Sequence, residues 1–146
     1  MRDYHRELYD VMKDIRKLRF SRLLPDVNGF EFDVMINMDM CMSKSDVVRV
    51  SDIVKAMEAP PPAVSRAMRV LEGEGLIRRR IDEHDRRNMI VEFTDEGRER
   101  LCRGADVMYE FADSVFSAMG AEKTSAMIDS LREFAEISKE EIEKRK

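Results

Sequence analysis

Two cysteines, Cys41 and Cys102, are all that the 146-residue chain contains. That is too few for a disulfide framework and suits a reducing compartment in which thiols stay free, each serving as a small buried hydrophobe. Only four prolines and six glycines stand against 43% hydrophobic residues, which excludes collagen-like and disordered polymers and predicts one folded domain over residues 1–146. No apolar run approaches the roughly 18 residues that cross a bilayer, and charge begins at Arg2 without a signal-like apolar stretch. The expected location is therefore the cytoplasm, away from membranes. Histidine is as scarce as cysteine, with His5 far from His84 in sequence. His84 lies beside Asp82, Glu83 and Asp85, but carboxylates at a hairpin tip point in different directions and no second histidine is near, so neither a metal nor another cofactor is expected. No Ser/His/Asp set, glycine-rich phosphate loop or paired metal-ligand motif occurs, and the chain is not expected to be an enzyme.

Charge of one sign is also missing where it would be informative as a sum: the net value is −4. Its distribution says more. Residues 1–59 carry 10 Lys/Arg against 11 Asp/Glu, residues 60–90 carry 7 against 5, and residues 104–146 carry 6 against 10. The middle stretch is the one with a positive balance. Between Ala56 and Glu122 every basic residue is arginine, whose planar fork suits phosphates and guanine edges better than the point charge of lysine.

Periodicity supplies the elements. From Tyr4 to Leu24, Leu8, Met12 and Ile15, with Val11 and Leu18 beside them, follow the 3.6-residue period of an amphipathic helix, ended by Pro25, Asn28 and Gly29. Phe30 to Met42 holds Phe32, Val34, Met35, Ile36, Met38, Met40 and Met42, too dense for a one-sided stripe and read as a buried helix with methionine as core filler. Val47, Val48 and Val50 predict a short edge strand. Ser51 and Asp52 then start a short helix to Met57. Proline is tolerated in the first turn of a helix, so after Pro60, Pro61 and Pro62 the next helix begins at about Pro61. In it Val64, Met68 and Leu71 repeat at i, i+4 and i+7 and face inward, leaving Ser65, Arg66 and Arg69 directed outward. Gly73 and Gly75 end it.

Leu76 to Phe93 reads as strand, charged loop and strand, with Asp82 to Asn88 as a polar hairpin loop. Thr94 can cap the following helix, with Asp95 and Glu96 in its first turn. That helix carries Leu101, Ala105, Met108, Ala112, Val115 and Met119. Gly120 ends it, and Ala121 to Lys146 supply a last helix with Met127, Leu131, Phe134 and Ile142. The predicted order is helix, helix, strand, helix, helix, strand, strand, helix, helix. The fold class is thus mainly α with a small antiparallel β-wing: a winged helix-turn-helix at 30–93, a long connecting helix at 94–119, and a helical dimerisation region at 1–24 and 120–146.

Two short helices joined by a tight turn, the second apolar inside and arginine-bearing outside, followed by a basic hairpin, form a reading head for double-stranded DNA. The second helix fits a major groove roughly 12 Å wide, and the loop reaches a neighbouring minor groove, whose negative potential attracts arginine. The candidate contacts are Pro62, Ala63, Ser65, Arg66 and Arg69 on the helix and Arg86 and Arg87 on the loop. Asp85 can pair with one of these arginines and brace the loop. A winged helix can also serve as a protein-interaction module without specific DNA binding, but that use calls for an apolar outer face on the second helix.

At this point the chain resembles the MarR family of winged helix-turn-helix transcriptional regulators. Val64-Ser65-Arg66 through Leu71-Glu72-Gly73-Glu74-Gly75-Leu76-Ile77 is similar to the family's recognition helix and its exit into the wing. Asp85-Arg86-Arg87, followed by Val91-Glu92-Phe93-Thr94-Asp95-Glu96-Gly97, is similar to its wing tip and return strand. The resemblance implies a homodimer with interlocked N- and C-terminal helices on a pseudo-palindromic operator, with Arg87 in the minor groove and Asp85 bracing the wing. Pro60, Pro61 and Pro62 replace small polar residues usual in the family, and Arg49 stands where a threonine cap is frequent. Some members sense peroxide through a cysteine in the first helix, where neither Cys41 nor Cys102 lies, so redox sensing is not expected.

The stripes at Leu8, Met12 and Ile15 and at Met127, Leu131 and Phe134 predict the dimer contacts. The expected function is that of a ligand-responsive repressor, its small-molecule effector bound between the helical dimer body and the reading heads.

Overall fold

A computed structural model describes residues 3–18, 20–24, 28–57 and 59–146. Helix α1 spans Tyr4–Lys17, capped by Asp3, whose carboxylate accepts from the Arg6 amide at 3.2 Å. It stops earlier than the expected Leu24, because Leu18 is already extended (ψ 107°) and Phe20–Arg22 form a short 3-10 turn. Arg16 and Lys17 close α1 at the negative end of its dipole. Pro25, expected to end this helix, lies outside the described residues. No residue of α1 is buried, and Leu8, Met12 and Ile15 are all exposed.

Helix α2 spans Gly29–Met42, and the Asn28 side chain caps it by accepting from the amides of Phe30 (3.0 Å) and Glu31 (3.2 Å). Phe32, Val34, Met35 and Met38 enter the core, whereas Ile36 and Met42 are half-buried and Met40 is exposed. The methionines at 35 and 38 do fill core space; the helix is not buried all round.

The strand expected at Val47, Val48 and Val50 is a single bridge, Arg49 to Ile90, beside a hydrogen bond from the Val91 amide to the Val48 carbonyl of 3.0 Å. The reason is local. The Asp52 carboxylate accepts the Arg49 amide at 2.9 Å and the Arg49 carbonyl accepts the Asp52 amide at 3.0 Å, so helical bonding has begun before a second ladder pair can form. Helix α3 therefore runs Val50–Met57. Helix α4 spans Pro61–Gly73, with Pro60 ahead of it offering no side-chain cap. After α4, Gly75 takes φ 74°, a left-handed turn that glycine accepts without strain.

Strands β1 (Ile77–Ile81) and β2 (Met89–Phe93) pair antiparallel from Ile77 opposite Phe93 to Ile81 opposite Met89. Thr94 then caps α5 (Asp95–Met119): its hydroxyl oxygen accepts the Gly97 amide at 3.0 Å and donates to the Gly75 carbonyl at 2.6 Å. Gly97 seats α5 directly on the start of the hairpin, since a Cβ there would lie 1.8 Å from the Leu76 carbonyl oxygen. Helix α6 (Ala121–Glu143) follows Gly120 at φ 83°.

The chain divides into two compact units, residues 1–107 and 108–146. The first holds a core in which Val34, Met35, Met38, Ile53, Val64, Met68, Leu71 and Leu76 have no exposed surface. In the second no residue of α6 is buried; Leu131 and Phe134 are exposed and Met127 is half-buried. The observed fold is mainly helical with one two-stranded hairpin, as the patterning predicts, less the strand before α3.

Candidate nucleic-acid interface

The inner face of α4 fixes its outer face. Val64, Met68 and Leu71 are each 0% exposed, so the helix cannot rotate without drawing apolar surface into water, at roughly 25 cal/mol per Å². Opposite them Pro62, Arg66 and Arg69 are exposed, with Ala63 and Ser65 half-buried. Among the described residues no carboxylate forms an ion pair with Arg66 or Arg69; the Arg69 Nε donates to the Ser65 carbonyl at 3.4 Å. Two guanidinium groups one turn apart are thus available to an external acceptor.

Glu72, three residues past Arg69, and two carboxylates of the hairpin are engaged elsewhere. Glu72 accepts from Arg79 of β1, with Nε at 2.9 Å and a second contact through Nη2. This hydrogen bonding lowers the Glu72 carboxyl below its ordinary range, and it ties α4 to the hairpin. Glu92 pairs with Arg80 across the two strands at 3.0 Å. Asp82 is 2% exposed and accepts Arg49 through Nε (3.0 Å) and Nη2 (2.8 Å). Its carboxyl is held below the usual range by the His84 amide first and by Arg49 second.

At the tip of the hairpin Asp85 folds the loop upon itself. One oxygen accepts both the amide and Nε of Arg87, each at 3.2 Å, while the other accepts Asn88 Nδ2 at 3.1 Å. Arg87 still presents 92% of its side-chain surface to solvent, and Arg86 is exposed. The hairpin loop and α4 both belong to the first compact unit. His84 Nδ1 approaches Asp82 at 3.7 Å, and among the described residues no group of three or more His, Cys, Asp or Glu side chains could hold a metal ion. Cys41 is half-buried, its thiol pKa raised by burial, and Cys102 is exposed on α5.

Three contributors escaped the reading of the sequence. Asp82 and Arg49 look like ordinary loop and helix-edge charges, since a separation of 33 positions carries no periodic signal. Glu72 and Arg79 lie seven residues apart across a helix-to-strand turn, where helical spacing no longer says which side chains meet. Gly97 could have been found as a glycine in the first turn of a helix, a costly choice that asks for a packing reason.

The MarR family model matches residues 40–89, from the end of α2 to the start of β2. Over that stretch the chain is similar to the MarR family. Members of this family are transcriptional regulators, not enzymes. The chain is 31% identical over 87 residues to YdgJ, an uncharacterised HTH-type transcriptional regulator of Bacillus subtilis (strain 168); the match covers 60% of this chain and 53% of the relative, about half its length. Among solved structures, the Staphylococcus aureus MepR–DNA complex superposes with a TM-score of 0.73 at 20% identity, covering 92% of this chain and 98% of that one. Bordetella bronchiseptica BpsR, whose DNA binding is regulated by 6-hydroxynicotinic acid, gives 0.71 at 18% identity over 88% and 98%. At such identities these likenesses establish the winged-helix fold.

Proposed function

We propose that this chain is a sequence-specific, double-stranded DNA-binding transcriptional regulator that acts as a homodimer on a pseudo-palindromic operator. The observation that carries the reading is the outer face of α4, where Arg66 and Arg69 stand exposed opposite a fully buried apolar face, beside a hairpin that exposes Arg86 and Arg87. In this reading α4 enters the major groove with Pro62, Ala63, Ser65, Arg66 and Arg69, and the wing lays Arg86 and Arg87 toward the minor groove with Asp85 bracing them. The outer face of α4 presents two guanidinium groups, with Val70 the one large apolar side chain exposed on the helix, which favours DNA over a protein-docking use of the fold.

Homodimerisation is supported by two helices that bury nothing within the chain yet expose apolar stripes: Leu8, Met12 and Ile15 on α1, and Leu131 and Phe134, with half-buried Met127, on α6. A second copy is the occupant these stripes fit, and dyad symmetry would mirror an operator of two half-sites. Control of DNA binding by a small organic ligand follows the pattern of the Bordetella protein, and we add repression as the sense of that control.

Selection of bound fragments from a random duplex pool tests the proposal. The expected result is a two-half-site motif with centres about 10 bp or a multiple of it apart, affinity falling steeply with salt, and a sedimenting mass of two chains. Recovery of no motif, or a mass near one chain at micromolar concentration, would overturn it.

A further inference from the structure

Asp82 is the one buried charged residue among those described, and it sits at the first position of the wing loop. Its Oδ2 takes both Nε and Nη2 of Arg49, at 3.0 and 2.8 Å, while Oδ1 accepts the His84 amide at 2.9 Å. Arg49 is itself held at three points. Its amide donates to Asp52 Oδ2 at the start of α3, its backbone bridges Ile90 of β2, and its side chain grips the loop. The remaining side-chain hydrogen bonds of the loop, among the described residues, close within the loop itself around Asp85 and Asn88. Glu83, His84, Arg86 and Arg87 are exposed and supply no apolar anchor. The Arg49–Asp82 pair is accordingly the side-chain tie from the loop to a helix.

Asp82 is buried but the Arg49 side chain is 38% exposed, and such a partly buried ion pair is a poor source of stability, because desolvation and solvent screening offset most of its attraction. A pair of charge-assisted bonds from one guanidinium does fix direction and register. We propose that Arg49 and Asp82 are positioning residues for DNA binding: they lock the wing to the start of α3, so that the arginines of the wing and of α4 meet the duplex as one preorganised surface. The proposal rests on the DNA-binding reading given above. Untying the pair removes no DNA-facing side chain but lets the loop that carries Arg86 and Arg87 wander, which returns an ordering cost at the moment of binding.

The test measures affinity for the duplex recovered by selection, by fluorescence anisotropy, on the full chain. Asp82→Asn and Arg49→Met are each expected to weaken binding about tenfold, the scale of one lost charge-assisted contact, with the double variant no worse than either. In an Arg87→Ala background the same changes should cost little, since the wing no longer contributes. Amides of residues 84–88 should exchange faster while those of α4 do not. Where Asp82→Asn fails to fold, Arg49→Lys, which keeps the charge with a single donor head, is expected to give a partial loss at an unchanged melting temperature. Unchanged affinity in the variants, a full loss that persists beside Arg87→Ala, or equal affinity of wild type and Arg87→Ala would each overturn the proposal. A wild-type chain that selects no duplex breaks the DNA-binding reading itself; one that binds with indifference to Asp82 breaks this inference alone.

Discussion

Helix α4 and the wing loop carry the same side chain toward the same proposed partner, yet they are held by opposite means. Arginines on α4 ride on Val64, Met68 and Leu71, three side chains with no exposed surface. Those of the loop depend on two aspartates, one buried against Arg49 and one folded onto Arg87. An apolar footing is insensitive to pH and to salt and fails by losing volume. A polar footing of charge-assisted bonds fails by losing a charge. The two halves of the reading head can therefore be damaged separately.

The largest separation comes from the core. Leu71→Ala is expected to cost about 2 to 5 kcal/mol of folding stability, read as a lower denaturant midpoint, and to take the wing with it because Glu72 and Arg79 join the two. A midpoint equal to wild type would deny α4 its apolar footing. Smaller, and confined to binding, are the arginines. Arg66→Ala or Arg69→Ala should cost about 1 to 3 kcal/mol and relax preference at one base pair, whereas Arg87→Ala should weaken all duplexes alike and reduce the salt slope by about 1. Indistinguishable profiles for the three variants would erase the contrast between helix and wing.

The smallest effect is one of pH. Asp82 has its carboxyl held below the ordinary value of 3.8 by the His84 amide and Arg49, so its folded pKa is depressed relative to the unfolded chain. Its contribution is complete above that ordinary value and is lost as pH falls through the lower folded one. Protection of the wing amides against exchange should thus be flat from neutrality down to about pH 4 and drop only below it. Asp82→Asn should remove the drop; a wing that loosens between pH 7 and 5 would point to other groups.

Much of this was legible because the signals were local and periodic. The i, i+4, i+7 spacing of Val64, Met68 and Leu71 places the arginines of α4, and the polar run from Asp82 to Asn88 between two apolar arms is a hairpin on its face. What was not legible depended on partners distant in sequence. A run of three valines around Arg49 looks the same whether it becomes a strand or a single bridge, and Asp52 decides the matter by starting a helix. The burial of Asp82 depends on Arg49, brought to it by the packing of α3 against β2, which no spacing announces. Helix α1 ends at Lys17 without a glycine or proline to mark it. Glycine 97 was legible as a residue and not as a contact, since only the fold brings the Leu76 carbonyl against it.

The prolines that open α4 have a consequence in the unfolded chain. Pro60, Pro61 and Pro62 have φ restricted before any core forms, and the observed φ of Pro60, −57°, lies within the range the ring dictates. Each such residue spares about 0.4 to 1 kcal/mol of conformational entropy that another residue would surrender on folding. The entry into α4 is consequently stiff by covalent constraint, and the first turn of that helix should be among the last features blurred as the molecule warms.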